Sequence, residues 1–115
     1  MPKISSMSFE VKTTEYFERR SKRLFKKYKS LPGELYKIIN QLIDHPHLGT
    51  AIGKGCYKIR IAISSKGKGK SGGARLITYV WVVENSVFLI DIYDKSEQEN
   101  IIPQELQNLI KNLSS

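Results

Sequence analysis

The chain has 115 residues, of which 40% are hydrophobic and 26% are charged, and its formal net charge is +8 at pH 7. This length and composition are typical of one soluble globular domain, and we expect a single domain over residues 1–115. The one cysteine, Cys56, excludes an intrachain disulfide and a zinc site built on paired cysteines. No apolar segment approaches the roughly 18 residues that span a bilayer, so we expect a cytoplasmic protein outside membranes.

The positive charge is concentrated in the earlier part of the chain. Residues 1–83 contain 17 Lys and Arg against 5 Asp and Glu, whereas residues 84–115 contain 2 against 6. The interval between Asp44 and Glu84 has no acidic residue, and it contains Lys54, Lys58, Arg60, Lys66, Lys68, Lys70 and Arg75. Such a surface attracts a polyanion, but charge alone does not distinguish nucleic acid from an anionic membrane or an acidic protein.

The first predicted elements are a short strand and a basic helix. Met7, Phe9 and Val11 alternate with polar residues, as in a half-buried strand. A cap at Thr13 or Thr14 then precedes a helix with one apolar face. The apolar positions are Phe17, Leu24, Phe25 and Tyr28, and the basic ones are Arg19, Arg20, Lys22, Arg23, Lys26 and Lys27. The basic face is either a solvated surface or an additional contact for nucleic acid or a protein partner.

A second helix is predicted to start at Ser30, a suitable cap with Pro32 in the first turn, and to end at Pro46. Its core-facing residues are Leu31, Leu35, Ile38, Ile39, Leu42 and Ile43. The short connection between the helices favours an antiparallel hairpin. The glycine-containing segment from His45 to Gly55 is interpreted as a loop, in which His45 interacts with the helix end rather than binding a metal.

Three strands and a helix complete the chain. Tyr57 to Ser64 alternates between apolar and polar residues, whereas Arg75 to Val83 is apolar on both faces and is predicted to be central. A turn at Glu84–Ser86 leads into a strand from Val87 to Tyr93, and Pro103 to Leu113 is predicted to be helical. The element order predicts an α+β fold, with the helical hairpin packed on one face of a small, mostly antiparallel sheet.

The connection SSKGKGKS ends like the phosphate-binding P-loop, G-x-x-x-x-G-K-[ST]. Ser64 stands where that motif needs its first glycine, and the connection leads into a strand instead of a helix, so we predict no nucleotide. Two interpretations stay open. The connection is either a solvated hairpin loop or a loop in which Lys66, Lys68 and Lys70 follow the backbone of RNA or DNA.

The strand cations indicate a function more strongly. Lys58 and Arg60 share one face of their strand, and Arg75 begins the strand expected beside them. If the hairpin closes through the glycine loop, these three cations converge on one side of the sheet. Their repulsion costs stability unless an anion relieves it, and we therefore expect them to bind an anion.

Two segments resemble a known family, YKIRIAISSKGKGKSGGARLITYV and, after it, LIDIYDKSE. The family is the RelE/HigB branch of the RelE/ParE superfamily, the toxins of type II toxin–antitoxin systems, and the resemblance extends over essentially the whole chain. It implies a RelE-like fold and an endoribonuclease that cuts mRNA in the ribosomal A site, with the ribose 2′-hydroxyl as nucleophile. The implied partners are mRNA and 16S rRNA on the ribosome and a cognate antitoxin. We expect no cofactor and no metal.

The resemblance also implies site residues. Lys58 and Arg60 match the paired basic positions of the YKIR strand, Arg75 matches the arginine after the glycine turn, and Lys95 matches a later basic position. The best-studied branch has a tyrosine several residues further on, where this chain has Ile101 and Ile102. Tyr93 is the candidate to replace that tyrosine, and the alternative is a core role in its strand.

The chemistry of RNA cleavage fits these residue types. A guanidinium forks onto two phosphate oxygens, which assigns Arg75 to stabilising the charge of the transition state. Lys58 is a candidate base, because neighbouring cations lower a lysine pKa, or it contributes only charge. Lys54 and the loop lysines are assigned to the RNA backbone. The alternative function is non-catalytic, as a gyrase-poisoning ParE-like toxin or a basic RNA-binding module, and KGKGKSGGAR favours the RelE/HigB branch.

Overall fold

The structure is a computed structural model, and it describes residues 8–66 and 72–113 except for the side chain of Lys66. In chain order the helices and strands are β1 (Glu10–Thr13), α1 (Glu15–Lys27), α2 (Leu31–Asp44), β2 (Thr50–Gly53), β3 (Cys56–Ile61), β4 (Ala74–Trp81), β5 (Ser86–Asp94) and α3 (Pro103–Leu113). Short 3-10 turns lie at Ser64–Lys66 and Val82–Glu84. No helix among the described residues is long and apolar enough to cross a membrane.

The strands form one sheet in the order β1-β5-β4-β3-β2. β1 is parallel to β5, and every other neighbouring pair is antiparallel. The short connections from β2 to β3 and from β4 to β5 explain two of the antiparallel pairs, because only an antiparallel pair can be joined so directly. The predicted α+β fold with a mostly antiparallel sheet is confirmed.

The helical hairpin of α1 and α2 covers one face of the sheet. Thr14 caps α1 by accepting a hydrogen bond from the backbone amide of Phe17 at 3.1 Å. The apolar stripes of both helices pack on the inward residues of β3, β4 and β5, and the fully buried side chains of this core include Leu24, Leu31, Leu42, Leu76 and Leu89. Burying each such side chain contributes about 1.5–3 kcal/mol, so this layer fixes the position of the sheet.

α3 covers part of the opposite face. Leu106 of α3 packs with Ile77 of β4 and with Ile90 and Tyr93 of β5 in a second, smaller core. β4 therefore has a protein layer on both sides, which explains why its sequence is apolar at nearly every position. The start of β4 and the neighbouring part of β3 carry the basic residues of this second face.

The loop expected from His45 to Gly55 contains β2, so that expectation is wrong. β2 is an edge strand of four residues, of which only Ile52 is half-buried. β2 pairs with β3 through backbone hydrogen bonds and buries almost no side chain. Its sequence therefore lacks the alternation of apolar and polar residues that identifies a strand. His45 itself is the C-cap of α2, where its backbone amide donates to the carbonyl oxygen of Gln41.

Two strand boundaries also differ from expectation. The strand expected to reach Val83 ends at Trp81, and Val82 and Val83 lie in a 3-10 turn with 59% and 85% of their surfaces exposed. Because the turn residues are apolar too, the hydrophobic run in the sequence is longer than the strand, and the predicted boundary was too late. β1 begins at Glu10, because the amide of Phe9 bonds instead to the carbonyl oxygen of Ile43. Met7 lies outside the described residues.

The expected side-chain cap at Ser30 is absent. Its hydroxyl instead accepts a hydrogen bond from the backbone amide of Ser65 at 3.0 Å and lies 2.9 Å from the Ser65 hydroxyl. The start of α2 is thereby attached to the chain that follows β3. This long-range partner is 35 residues away, and no local pattern indicates it.

Candidate functional site

Arg60, Arg75 and Tyr93 form a row across the three adjacent strands β3, β4 and β5. Arg60 lies directly opposite Arg75, and Arg75 lies directly opposite Tyr93. Side chains at opposed positions of antiparallel strands point to the same face, with Cβ atoms about 4.5–5.5 Å apart. Tyr93 belongs to the core under α3, so the row lies on the face of the sheet that α3 partly covers.

Gly73 allows β4 to begin close beside β3. A Cβ atom at Gly73 would clash with the backbone carbonyl of Ile61, so no other residue fits there without a shift of the backbone. The carbonyl oxygen of Gly73 also accepts a hydrogen bond from the amide of Lys95 at 2.9 Å. Gly73 therefore joins the ends of β3 and β5 next to Arg75, which fixes the register of the row.

Arg75 is a buried arginine next to another arginine. Only 4% of its surface is exposed, and one guanidinium nitrogen donates to the carbonyl oxygen of Ala74 at 3.2 Å. Burial lowers the pKa of Arg75, and the positive charge of Arg60 lowers this pKa further. Arg75 keeps its charge, because an arginine pKa starts above 12. Both effects mean that the charge of Arg75 is held at a cost in free energy that a bound anion would offset.

Tyr93 presents a protonated hydroxyl to this row. The residue is 2% exposed, and its hydroxyl oxygen has no hydrogen-bond partner within the described part of the chain. Burial raises the pKa of Tyr93, while the charge of Arg75 acts in the opposite direction. A buried hydroxyl without a partner is costly, so Tyr93 has the capacity to donate a hydrogen bond to a ligand.

The two candidate lysines contact the connection between β5 and α3. Lys58, two residues before Arg60 on β3 and on the same face, donates from Nζ to Oδ1 of Asn100 at 3.3 Å. Lys95 follows β5 directly, and its Nζ lies 3.3 Å from Oε2 of Glu99. The structure thus brings Lys58 next to the arginine row and places Lys95 beside the start of β4 through its backbone.

The remaining residues that were predicted to contact the RNA backbone are Lys54 and the lysines of the connection between β3 and β4. Lys54 lies in the turn between β2 and β3 with a φ of 58°, six residues before Arg60, which is roughly 20 Å along an extended strand. It is therefore at the other end of β3 from the arginine row. The Lys66 side chain, Lys68 and Lys70 lie outside the described residues.

Asn100 and Asp94 are parts of this region that sequence reasoning missed. Asn100 contacts Lys58 across 42 residues of sequence, and Asp94 bonds to Tyr28 across 66. Asp94 lies within the LIDIYDKSE segment and Asn100 lies three residues beyond it. The partners of both residues are distant in the sequence, and long-range pairs leave no local signal in one sequence. Asp94 is one of two carboxylates in a strand that is mostly apolar, Asp91 being the other, and the pattern does not show what either of them binds.

The arrangement is suited to holding a phosphate diester. Two guanidinium groups on one face supply forked donors and two positive charges, and a tyrosine hydroxyl lies at the end of the same row. Lys58 adds a third cation on that face. Arg60 is exposed and open to an incoming phosphate, whereas Arg75 and Tyr93 are buried, so contact with these two donors requires a change in what covers them.

The fold and this basic face define a small α+β protein, and comparison with known proteins assigns it to a family. The family model described as the RelE toxin of the RelE/RelB toxin–antitoxin system matches residues 11–115. The chain therefore belongs to the RelE toxin family.

Two solved structures of the E. coli RelE toxin have a similar fold. A double arginine-to-alanine variant in the free state aligns with a TM-score of 0.60 and 19% identity, over 92% of this chain and 98% of that chain. The isolated toxin in a P21 crystal form aligns with a TM-score of 0.56 and 19% identity, over 92% of this chain and 99% of that chain. At this level of identity the similarity shows the shared fold.

Proposed function

We propose that this protein is a ribosome-dependent endoribonuclease that cleaves mRNA in the A site, and that a cognate antitoxin neutralises it. Membership of the RelE toxin family supports the proposal. The observation that carries it is the opposed pair Arg60 and Arg75, in which the buried arginine has a lowered pKa. An RNA phosphate bound at this pair would relieve the repulsion between the two side chains.

The proposed reaction is a transesterification within the RNA. The 2′-oxygen loses its proton and forms a bond to the adjacent phosphorus, while the bond from phosphorus to the 5′-oxygen breaks and that oxygen gains a proton. Arg75 would stabilise the extra negative charge on the pentacoordinate phosphate, because its fork binds two oxygens at once. Arg60, which is exposed, would hold the incoming strand.

Tyr93 and Lys58 are the candidates for the two proton transfers of this reaction. Tyr93 retains its proton at neutral pH because its pKa is raised, so it can donate to a phosphate oxygen or to the leaving oxygen. Lys58 either accepts the proton of the 2′-hydroxyl or contributes only charge, and Lys95 is a further cation near the start of β4. Lys58→Arg separates the two roles of Lys58, since arginine keeps the charge but does not act as a base.

The ribosome would supply the alignment that this site lacks. In-line attack requires the 2′-oxygen, the phosphorus and the 5′-oxygen to be held in one geometry, and such positioning accounts for a large part of many rate enhancements. We therefore expect free RNA to be a poor substrate. Lys54, Lys66, Lys68 and Lys70 are proposed to bind the RNA backbone, and replacing any one of them with alanine would reduce the salt dependence of binding by about one unit of slope.

Primer extension on a translated message, with purified ribosomes and added protein, tests the function. The wild-type protein should produce new 5′ ends at fixed positions within codons. Arg75→Ala should reduce the rate of cleavage by about 10²–10³-fold, the usual cost of losing one donor to a developing oxyanion. Lys37→Ala is a matched control, because it removes a positive charge from an exposed position on α2.

An uncut message with wild-type protein would overturn the proposal. If cells expressing the protein also showed a DNA-damage response, the result would support the non-catalytic, ParE-like alternative. Cleavage by Arg75→Ala at the wild-type rate would overturn the site assignment and leave the function in place.

A further inference from the structure

Asp94 is a buried carboxylate at the end of β5, and its bonds run to two different parts of the protein. Its side chain is fully buried. One oxygen accepts from the Tyr28 hydroxyl at the end of α1 at 2.6 Å. The other accepts from the Ser96 backbone amide at 2.9 Å and from the Ser96 hydroxyl at 2.7 Å. Asp94 therefore joins α1 to the turn that leaves β5.

The backbone of Asp94 holds the same turn. Its carbonyl oxygen accepts from the amides of Glu97 at 2.9 Å and Gln98 at 3.0 Å. The side chain and the backbone of one residue thus fix the first residues after β5. The two hydrogen bonds to the carboxyl group and the two to the carbonyl oxygen together hold this turn in a well-defined conformation.

The two chain neighbours of Asp94 both belong to the candidate site. Tyr93 is the residue opposite Arg75, and Lys95 bonds through its amide to Gly73, two residues before Arg75. Successive residues of a strand point to opposite faces, so Asp94 is anchored on the helical face and Tyr93 on the face of the arginine row. A movement of Asp94 would move both neighbours relative to Arg75.

We infer that Tyr28 and Asp94 are a positioning pair that holds Tyr93 and Lys95 in the site from the opposite side of the sheet. This inference rests on the proposed function. Asp94 is shielded from the substrate face, so it does not touch the reacting atoms. Its effect on cleavage is exerted through the placement of its two neighbours.

Tyr28→Phe is the variant that tests the pair, because it removes one hydroxyl and keeps the ring that packs in the core. We expect the cleavage rate on ribosomes to fall by about 10- to 100-fold with little change in the apparent affinity, since a misplacement of about 1 Å has effects of this size. Tyr16→Phe is the matched control. It removes the hydroxyl of a half-buried tyrosine at the other end of α1 and should cleave like wild type.

Amide hydrogen exchange provides a second readout that does not depend on activity. In Tyr28→Phe the amides of Lys95, Ser96, Glu97 and Gln98 should lose protection by about tenfold more than the amides of β3, because the opening is local. Tyr16→Phe should leave these amides protected. Because Tyr28 is inferred to act through both Tyr93 and Lys95, Tyr28→Phe should slow cleavage by a smaller factor in the Lys95→Ala background than in wild type.

The outcomes separate the two proposals. A wild-type protein that does not cut mRNA overturns the proposed function, while the exchange data still decide whether Tyr28 and Asp94 hold the turn. Unchanged exchange in Tyr28→Phe overturns the positioning pair. Altered exchange with an unchanged cleavage rate shows that the turn is held but that its position does not matter for catalysis, which also overturns the inference.

Discussion

The sheet contains two groups of charged residues, each with at least one buried member, and the neighbouring charges differ in sign between the groups. On β5, Asp91 lies 3.0 Å from the guanidinium of Arg20, and Asp94 accepts from Tyr28 with Lys27 at 3.8 Å. On β3 and β4, Arg60 faces Arg75, a group of the same charge. In the first group helix α1 supplies cations for the acids. In the second group the charged residue opposite Arg75 in the register is another cation, and the two charges repel each other.

The pKa shifts express the same difference. Burial raises the pKa of Asp91, and the nearby Arg20 opposes that shift. Burial lowers the pKa of Arg75, and the nearby Arg60 reinforces that shift. An opposite charge offsets part of the cost of burying a charged group, whereas a like charge adds to that cost, which a ligand of opposite charge would then offset. We therefore expect an anion to bind at the arginine row, where Arg60 lies opposite Arg75.

The largest effect on stability is expected when Asp94 of the first group, the group of β5 carboxylates, is replaced. Asp94→Ala would leave the Tyr28 hydroxyl and the Ser96 amide without the carboxylate they bind, and we expect the free energy of unfolding to fall by about 2–4 kcal/mol. Urea denaturation measures the change. Asp44→Ala removes an exposed carboxylate at the end of α2 and should differ little from wild type. Equal effects of the two variants would show that Asp94 is not a structural anchor.

Periodicity in the sequence predicts those features of the two charged groups that lie within a single helix or strand. The helical hairpin and the shared face of Lys58 and Arg60 follow from the 3.6- and 2-residue patterns. The pairing of Arg75 with Tyr93 depends on the register of β4 and β5, which shifts at Ile77/Thr78 and has no counterpart in a single strand's pattern.

Residues that are distant in the sequence account for most of what was missed. β2 was hidden because an exposed edge strand pairs through its backbone. The Arg20–Asp91 and Tyr28–Asp94 contacts join residues 71 and 66 positions apart. A basic helix resembles a solvated face until its partners on β5 are known, although three of its residues, Arg20, Arg23 and Lys27, bond to acids on or after β5.

Matched substitutions of two arginines should change stability in opposite directions. Arg20→Met leaves the buried carboxylate of Asp91 without its cation, and we expect the free energy of unfolding to fall by about 2 kcal/mol. Arg75→Met replaces a buried charge that Arg60 repels by an apolar side chain of similar length, and we expect a gain of about 1 kcal/mol together with loss of cleavage. Both are measured by urea denaturation. A loss of stability in Arg75→Met equal to that in Arg20→Met would remove the distinction between the two groups.

The smallest expected effect concerns pH. Since the pKa of Asp91 is raised in the folded protein, the folded state binds a proton there more readily than the unfolded chain does. The contribution of this group to stability is therefore present at low pH and is lost as the pH rises through the raised pKa. Asp91→Asn removes the titration, so the stability of this variant relative to wild type should increase as the pH rises from the ordinary range of an aspartate through the raised pKa of Asp91.

Urea denaturation at several pH values measures this change, with Asp44→Asn as an exposed control whose difference from wild type should stay nearly constant. A decrease in the relative stability of Asp91→Asn over the same range would have a definite meaning. It would show that Arg20 lowers the pKa of Asp91 by more than burial raises it. The burial of Asp91 would then be fully offset by Arg20, contrary to the raised pKa from which this prediction starts.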